Sequence, residues 1–250
     1  MVFVDSEGNE VDRIIGFLPP TEYLMRIENI VGKRNTLDDY IARYERGDVT
    51  EDIIAGIAMK YEDRSENDKA AEFYSLLIKH YTDSSSDYIM HGKFFLSKYK
   101  FENGNENALK NYVSKNPGSK FIHEAYETMV YHYANAGQLE KELKIYEEML
   151  LLFSDDPNAL NMYAWRMAEI ETNLEDALLK ARKAVYLSVN EPIQQARIID
   201  TEAEVLWKMG RYDDAINAID KAISIDPEDQ YYKAQKEKFI QSKKETIQSA

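Results

Sequence analysis

Four histidines, forty-five carboxylates and no cysteine bound the chemistry open to this 250-residue chain. Without a thiol there is no cysteine nucleophile, no disulfide exchange and no Cys-bound zinc. None of His80, His91, His123 and His132 has the His-x-x-x-His spacing that puts two imidazoles on one helix face for a metal. His123 and His132, nine residues apart, face different sides of a helix. Gly8, Gly16 and Gly104 are isolated turn glycines, not a phosphate-cradling loop. The pairs Asp155-Asp156 and Asp213-Asp214 fall where helices are predicted to start, where the positive end of the helix dipole favours them. The run Ser84-Ser85-Ser86-Asp87 reads as a loop ending in a helix cap, not as a nucleophile. The expectation is a chain with no catalytic residues, no metal site and no cofactor.

Composition narrows the partners. A formal net charge of −14 leaves no basic surplus to displace counterions from nucleic acid or to hold an anionic membrane. It permits a protein or peptide partner, with basic or apolar segments favoured. Hydrophobic residues are 44% of the chain and charged residues 30%, so it can bury a core and stay soluble. No apolar run approaches the roughly 18–20 residues that cross a bilayer. The start, Met1-Val2-Phe3-Val4-Asp5, lacks the basic and long apolar regions of a signal peptide. Compartment stays open between cytoplasm and periplasm, since lack of cysteine suits both.

The elements that would position these residues recur. Small-residue anchors at Ala70, Ala108, Glu142, Ala177 and Ala215 are spaced 38, 34, 35 and 38 residues apart, and Tyr74, Tyr112, Tyr146, Ala181 and Ile219 follow each by four residues, one helical turn. Upstream of each anchor a first helix repeats a large-x-x-large-small-x-x-large rhythm. Examples are Ile54, Ile57, Ala58 and Tyr61; Tyr126, Met129, Val130 and Tyr133; Leu160, Tyr163, Ala164 and Met167; and Ile199, Glu202, Ala203 and Leu206. The small position lets two helices approach and the large ones fill the groove around it. With Gly210 and Pro227 as punctuation, this pattern resembles the tetratricopeptide repeat family over roughly residues 50–227. The resemblance implies an all-α superhelical solenoid of about five helix pairs, stabilised by stacking of units that cannot bury a face alone.

Three departures stand out. In Asp87 to Glu102, Gly92 takes the small position in a helix longer than usual; Glu142 replaces a small anchor, so its helix is expected to sit further out or turn the carboxylate to solvent; and Glu202 sits where an apolar residue is expected. Asn103-Gly104-Asn105, Asn135-Ala136-Gly137 and Met209-Gly210 mark turns, while Asn116-Pro117, Asp156-Pro157 and Asp226-Pro227 close repeats. Thr36-Leu37-Asp38-Asp39 opens a helix with Leu37, Tyr40, Ile41 and Tyr44 on one face, expected to dock on the first full repeat. The array is assigned to residues 32–227 and a polar capping helix to 228–250.

Residues 1–31 do not follow the repeat. Val2-Phe3-Val4 and Glu10-Val11-Asp12-Arg13-Ile14-Ile15 read as two strands around a Ser6-Glu7-Gly8-Asn9 turn, followed by Gly16-Phe17-Leu18-Pro19-Pro20 and a helix near Thr21 with Tyr23, Leu24, Ile27 and Ile30 on one face. This order resembles the closing hairpin and helix of a thioredoxin fold, and the run into the repeats resembles bacterial thioredoxin-like proteins with a tetratricopeptide tail. The resemblance implies a thioredoxin-fold remnant, with the family's Cys-x-x-Cys half outside this chain. A lone hairpin and helix is marginal in water, so this segment is expected to pack on the array, pair with another copy as a homo-oligomer, or be poorly ordered.

In tetratricopeptide arrays the first helix of each pair lines the concave face. By helical phase that face here includes Ala55, Met59, Glu127, Tyr131, Asn161, Trp165, Asp200 and Glu204. Tyr131 and Trp165 follow the small packing position and are expected to point off the core; the alternative is that they are wedges within it. The groove lacks the basic clamp some of these repeats use for acidic chaperone tails. Three readings follow: a non-catalytic interaction scaffold, a fragment of a thiol-disulfide oxidoreductase or redox chaperone lacking its catalytic half, and a self-assembly module.

Overall fold

A computed structural model describes residues 1–82 and 85–249. Among them the chain forms two strands, β1 (Val2–Val4) and β2 (Glu10–Arg13), and thirteen helices: α1 (Pro20–Val31), α2 (Leu37–Glu45), α3 (Glu51–Asp63), α4 (Asn67–His80), α5 (Asp87–Glu102), α6 (Ala108–Lys115), α7 (Ile122–Asn135), α8 (Leu139–Leu152), α9 (Pro157–Glu169), α10 (Leu174–Leu187), α11 (Pro192–Lys208), α12 (Tyr212–Ile225) and α13 (Gln230–Ser249). The chain is mostly α-helical, with α3 packed on α4, α5 on α6, α9 on α10 and α11 on α12. Two compact units, Met1–His132 and Tyr133–Ala250, divide within α7.

The first unit begins with the hairpin. The Asp5 carboxylate accepts from the amides of Glu7 (2.8 Å) and Asn9 (2.9 Å), and Gly8 takes the left-handed conformation the turn needs (φ +88°). β2 stops at Arg13, two residues short of the expected Ile15. Ile14 still donates to the Met1 carbonyl at 2.9 Å. The hairpin packs on the helices through Asp12, which is fully buried. Lys60 of α3 donates to both of its carboxylate oxygens at 2.8 Å, and Arg26 of α1 donates to Oδ2 at 2.8 Å.

Thr36 caps α2 by accepting from the Asp39 amide, as its sequence position suggests. Leu37 then packs with Ile53 and Ile57, flanked by Tyr40, Ile41 and Tyr44. A Cβ at Gly56 would come within 2.6–2.8 Å of the Tyr40 ring, so the glycine is what lets α2 lie this close to α3. The next layer joins α3, α4 and α5 around Ile54, Ala58, Ala70, Tyr74, Leu77, Ile89 and Phe95. Gly92 does take the small position of α5: a Cβ there would sit 2.9 Å from Tyr74. Tyr74 is fully buried, worth about 2–3 kcal/mol in transfer terms. Its hydroxyl donates to Glu62 Oε2 at 2.5 Å. Ser86 caps α5 by accepting from the Ile89 amide; its neighbour Ser84 lies outside the described residues.

In the second unit Asp156 caps α9, accepting from the amides of Asn158 and Ala159. Leu160, Ala184 and Ile198 tie α9, α10 and α11 into one core. The anchors Ala177 and Ala215 are fully buried. Glu142 is buried as well, against the expectation that its helix would stand off or expose it. Arg166 of α9 forks onto its carboxylate, so charge pairing replaces the small side chain. Glu202, out of pattern in sequence, pairs with Arg182 at 2.8 Å.

Candidate interaction surfaces

The residues assigned to the groove divide between the two units. In the first, Met59 is 42% exposed and lines a cavity of about 510 Å³ between the hairpin, α2, α3 and α5. Ile14, Ile53 and Tyr40 give the cavity apolar walls, and Arg13, Arg26, Arg43, Lys60 and Asp63 its charges. Burial pushes the Asp63 carboxyl up to about 6, and the nearby Glu62 and Asp12 carboxylates push the same way. Ala55, on the same phase of α3, is buried and offers nothing to a ligand. On α7, Tyr131 is 57% exposed, off the core, and Glu127 is partly exposed with His123 Nδ1 3.4 Å away.

In the second unit, Asn161 and Trp165 are one turn apart on α9, and both are partly exposed. Asn161 Oδ1 is buried with no hydrogen-bond partner, while the Trp165 indole N–H donates to Glu169 at 3.0 Å. Asp200 and Glu204 are not open groove residues: both are buried, because α13 packs over them. Lys238 binds Glu204 at 2.6 Å with its ammonium 4.2 Å from the Trp207 ring centroid, and Tyr231 and Gln235 face Asp200. Burial, then the neighbouring Glu204 charge, raises the Asp200 pKa to about 6. Burial, then Asp200, raises that of Tyr231 to about 12.

Sequence reasoning missed Gln235 and Lys238, although a signal existed. Lys238 follows Glu204 by 34 residues, one repeat period, so α13 stands where the first helix of another repeat would. It also missed a cavity of about 700 Å³ among α8, α9 and α10, lined by Leu150, Leu151, Leu160, Tyr163, Asp176 and Lys180. The histidines are scattered. His91 Nε2 lies 2.8 Å from Glu62, His132 packs edge-on to Phe101 and His80 is exposed at the end of α4. Among the described residues no three histidines or carboxylates are grouped to hold a metal, and no helix is long and apolar enough to cross a membrane.

Residues 196–229, covering most of α11, all of α12 and the turn after it, match the family model of the tetratricopeptide repeat. The chain therefore carries a tetratricopeptide repeat there. The crystal structure of the MamA protein is similar in fold, with a TM-score of 0.50 and 15% identity over 73% of this chain and 94% of that one. Two further solved structures are alike at lower scores. YrrB, a TPR protein with an unusual peptide-binding site, has a TM-score of 0.49 and 16% identity over 80% of this chain and 99% of its own. A thermophilic TPR protein of Thermus thermophilus has a TM-score of 0.41 and 17% identity over 76% of this chain and 99% of its own. No curated protein matches the chain.

Proposed function

We propose that this chain is a non-catalytic scaffold whose helix pairs hold a protein or peptide segment of basic or apolar character. The observation that carries the reading is on α9. Trp165 and Asn161 share one face, part of the aromatic surface is open, and the Asn161 carbonyl oxygen has no partner inside the protein. An extended segment laid on that face would supply an N–H donor to Asn161 and an apolar side chain to Trp165. Tyr131, Met59 and Glu127 are the corresponding candidates in the first unit. The net charge of −14 favours a basic partner on-rate and disfavours an acidic one. The test is an array of short basic-apolar and acidic peptides probed with the full chain. The basic-apolar class should bind, and Trp165→Ala and Tyr131→Ala should each weaken binding about tenfold with helicity unchanged. Equal binding of acidic peptides, or collapse of the fold in both variants, overturns the reading.

Two finer readings of residues 1–31 rest on their own observations. The order hairpin, Gly16, helix supports a chain derived from a thioredoxin-like protein, in which this part would deliver clients to a redox site elsewhere. With no cysteine it should reduce no disulfide by itself. The outward side chains of Val2, Val4, Phe17, Leu24 and Met25, each more than half exposed, support self-association through the hairpin. Sedimentation across a hundredfold concentration range separates the self-associating chain from a monomeric one.

A further inference from the structure

We propose that a cleft on α4, α5 and α6 is a second binding surface, and that it holds a short acidic segment of a protein partner. The cleft has a volume of about 560 Å³, within the range of sites that take a ligand. Two helical stripes line it. Lys93, Leu96, Ser97 and Lys100 follow one another at the spacing of one face of α5, and Ala108, Asn111, Tyr112 and Lys115 do the same on α6. Ile78 of α4 adds to the lining. Ala108 and Tyr112 are buried and Leu96 and Ile78 half-buried, so the floor is apolar. The lysines stand around it, Lys100 and Lys115 exposed and Lys93 half-buried. Among the described residues no carboxylate lines the cleft, although the chain carries a net charge of −14.

Charge complementarity identifies the occupant. The nearby Lys98 and Lys120 pair with Glu124 at 3.7 Å and Asp87 at 2.9 Å, but Lys93, Lys100 and Lys115 form no ion pair with any described residue. A carboxylate brought among them gains attraction without breaking an existing pair. Asn105 uses its Oδ1 to accept from the Asn107 amide at 3.3 Å, which leaves its NH2 group to donate to a peptide carbonyl. The apolar floor then selects a segment in which acidic side chains alternate with apolar ones, over a bare anion. Lys93 and Lys100 are seven residues apart on α5, a rise of about 10 Å, which about three residues of extended chain would span. A long polyanion fits less well. Three lysines neutralise few phosphates, and the negative charge of the rest of the chain repels nucleic acid and anionic membrane alike. None of Met59, Glu127, Tyr131, Asn161 and Trp165 lines the cleft, so it is separate from the first-helix groove.

The probe is a short labelled peptide in which Glu and Leu alternate, titrated into the full chain. Wild type should bind it, and Lys93→Gln with Lys100→Gln should weaken binding about tenfold. Lys93→Arg with Lys100→Arg should keep it, and circular dichroism should be the same for both variants. A peptide with Ser in place of Leu should bind more weakly, because it gives nothing to the floor. Trp165→Ala and Tyr131→Ala should leave binding untouched. Acidic peptides in the comparison that tests the first-helix groove belong on the Lys93→Gln, Lys100→Gln variant, where this cleft is disabled, so that the two surfaces fail separately. Equal binding by wild type and that variant overturns the proposal. So does tighter binding of a single-stranded oligonucleotide or of phosphatidylserine vesicles than of the peptide, which would make the lysines a general polyanion patch.

Discussion

The guanidinium of Arg166 grips the buried carboxylate of Glu142 at two points, Nε to Oε1 at 2.6 Å and Nη2 to Oε2 at 3.2 Å, and a third nitrogen reaches Glu169 at 3.3 Å. The bond to Glu142 is also the main reason the Arg166 pKa is raised. The pair joins α8 to α9 where the repeat pattern elsewhere has a small residue.

Removing one partner strands the other. Arg166→Ala should lower unfolding stability by about 2–4 kcal/mol, less than for a fully buried pair because the arginine keeps some contact with water. Glu142→Ala combined with Arg166→Met should recover most of that loss, since it restores the small anchor and strands no charge. Urea denaturation of wild type and the two variants decides it; a double variant as weak as Arg166→Ala would show that the pair does more than satisfy itself.

Asp12 fastens the hairpin to α3. Asp12→Ala leaves Lys60 buried without its carboxylate, so the hairpin should detach before the unit unfolds. Amide hydrogen exchange should show protection lost in β1 and β2 by at least tenfold while α3 and α4 keep theirs. Equal loss throughout the unit would mean the hairpin is part of its cooperative core.

Acid should stabilise this protein over a window where many proteins weaken. Asp63 and Asp200 have native pKa values raised to about 6, against about 3.9 unfolded, so the native state holds more protons between those values. Their contribution to stability is fully present below pH 4 and is lost as pH rises through 6. For Asp200 the change is about 3 kcal/mol; for Asp63, partly open to water, it is smaller. Asp200→Asn should exceed wild type in stability at pH 7 and lose that advantage by pH 4–5. A wild-type urea midpoint flat between pH 7 and 5 would refute the assignment.

Gly56→Ala tests close packing. In an exposed helix this change adds about 1 kcal/mol of stability. Here the new methyl meets the Tyr40 ring at 2.6 Å, and overpacking of about 1–3 kcal/mol should reverse the sign. Thermal melts should show a lower midpoint, and the same change should cost markedly less when made in a Tyr40→Ala background.

The sequence by itself determined the helix pairs. Their signals are local or periodic: Ala70 and Ala215 with large residues one turn on, the caps at Thr36, Ser86 and Asp156, and the prolines that end repeats. Such signals act within a few residues, so they can be read without knowing what lies across the fold. Helical phase puts Tyr131, Trp165 and Met59 on the first helices of their pairs, and each is partly or largely exposed. Only the tertiary structure decided which charges meet. Glu142 is buried because an arginine 24 residues later reaches it, Asp12 because a lysine 48 residues later does, and Asp200 and Glu204 because α13 returns over them. A carboxylate in a sequence looks the same whether it will face water or a cation, since the difference lies in desolvation and pairing supplied by distant residues.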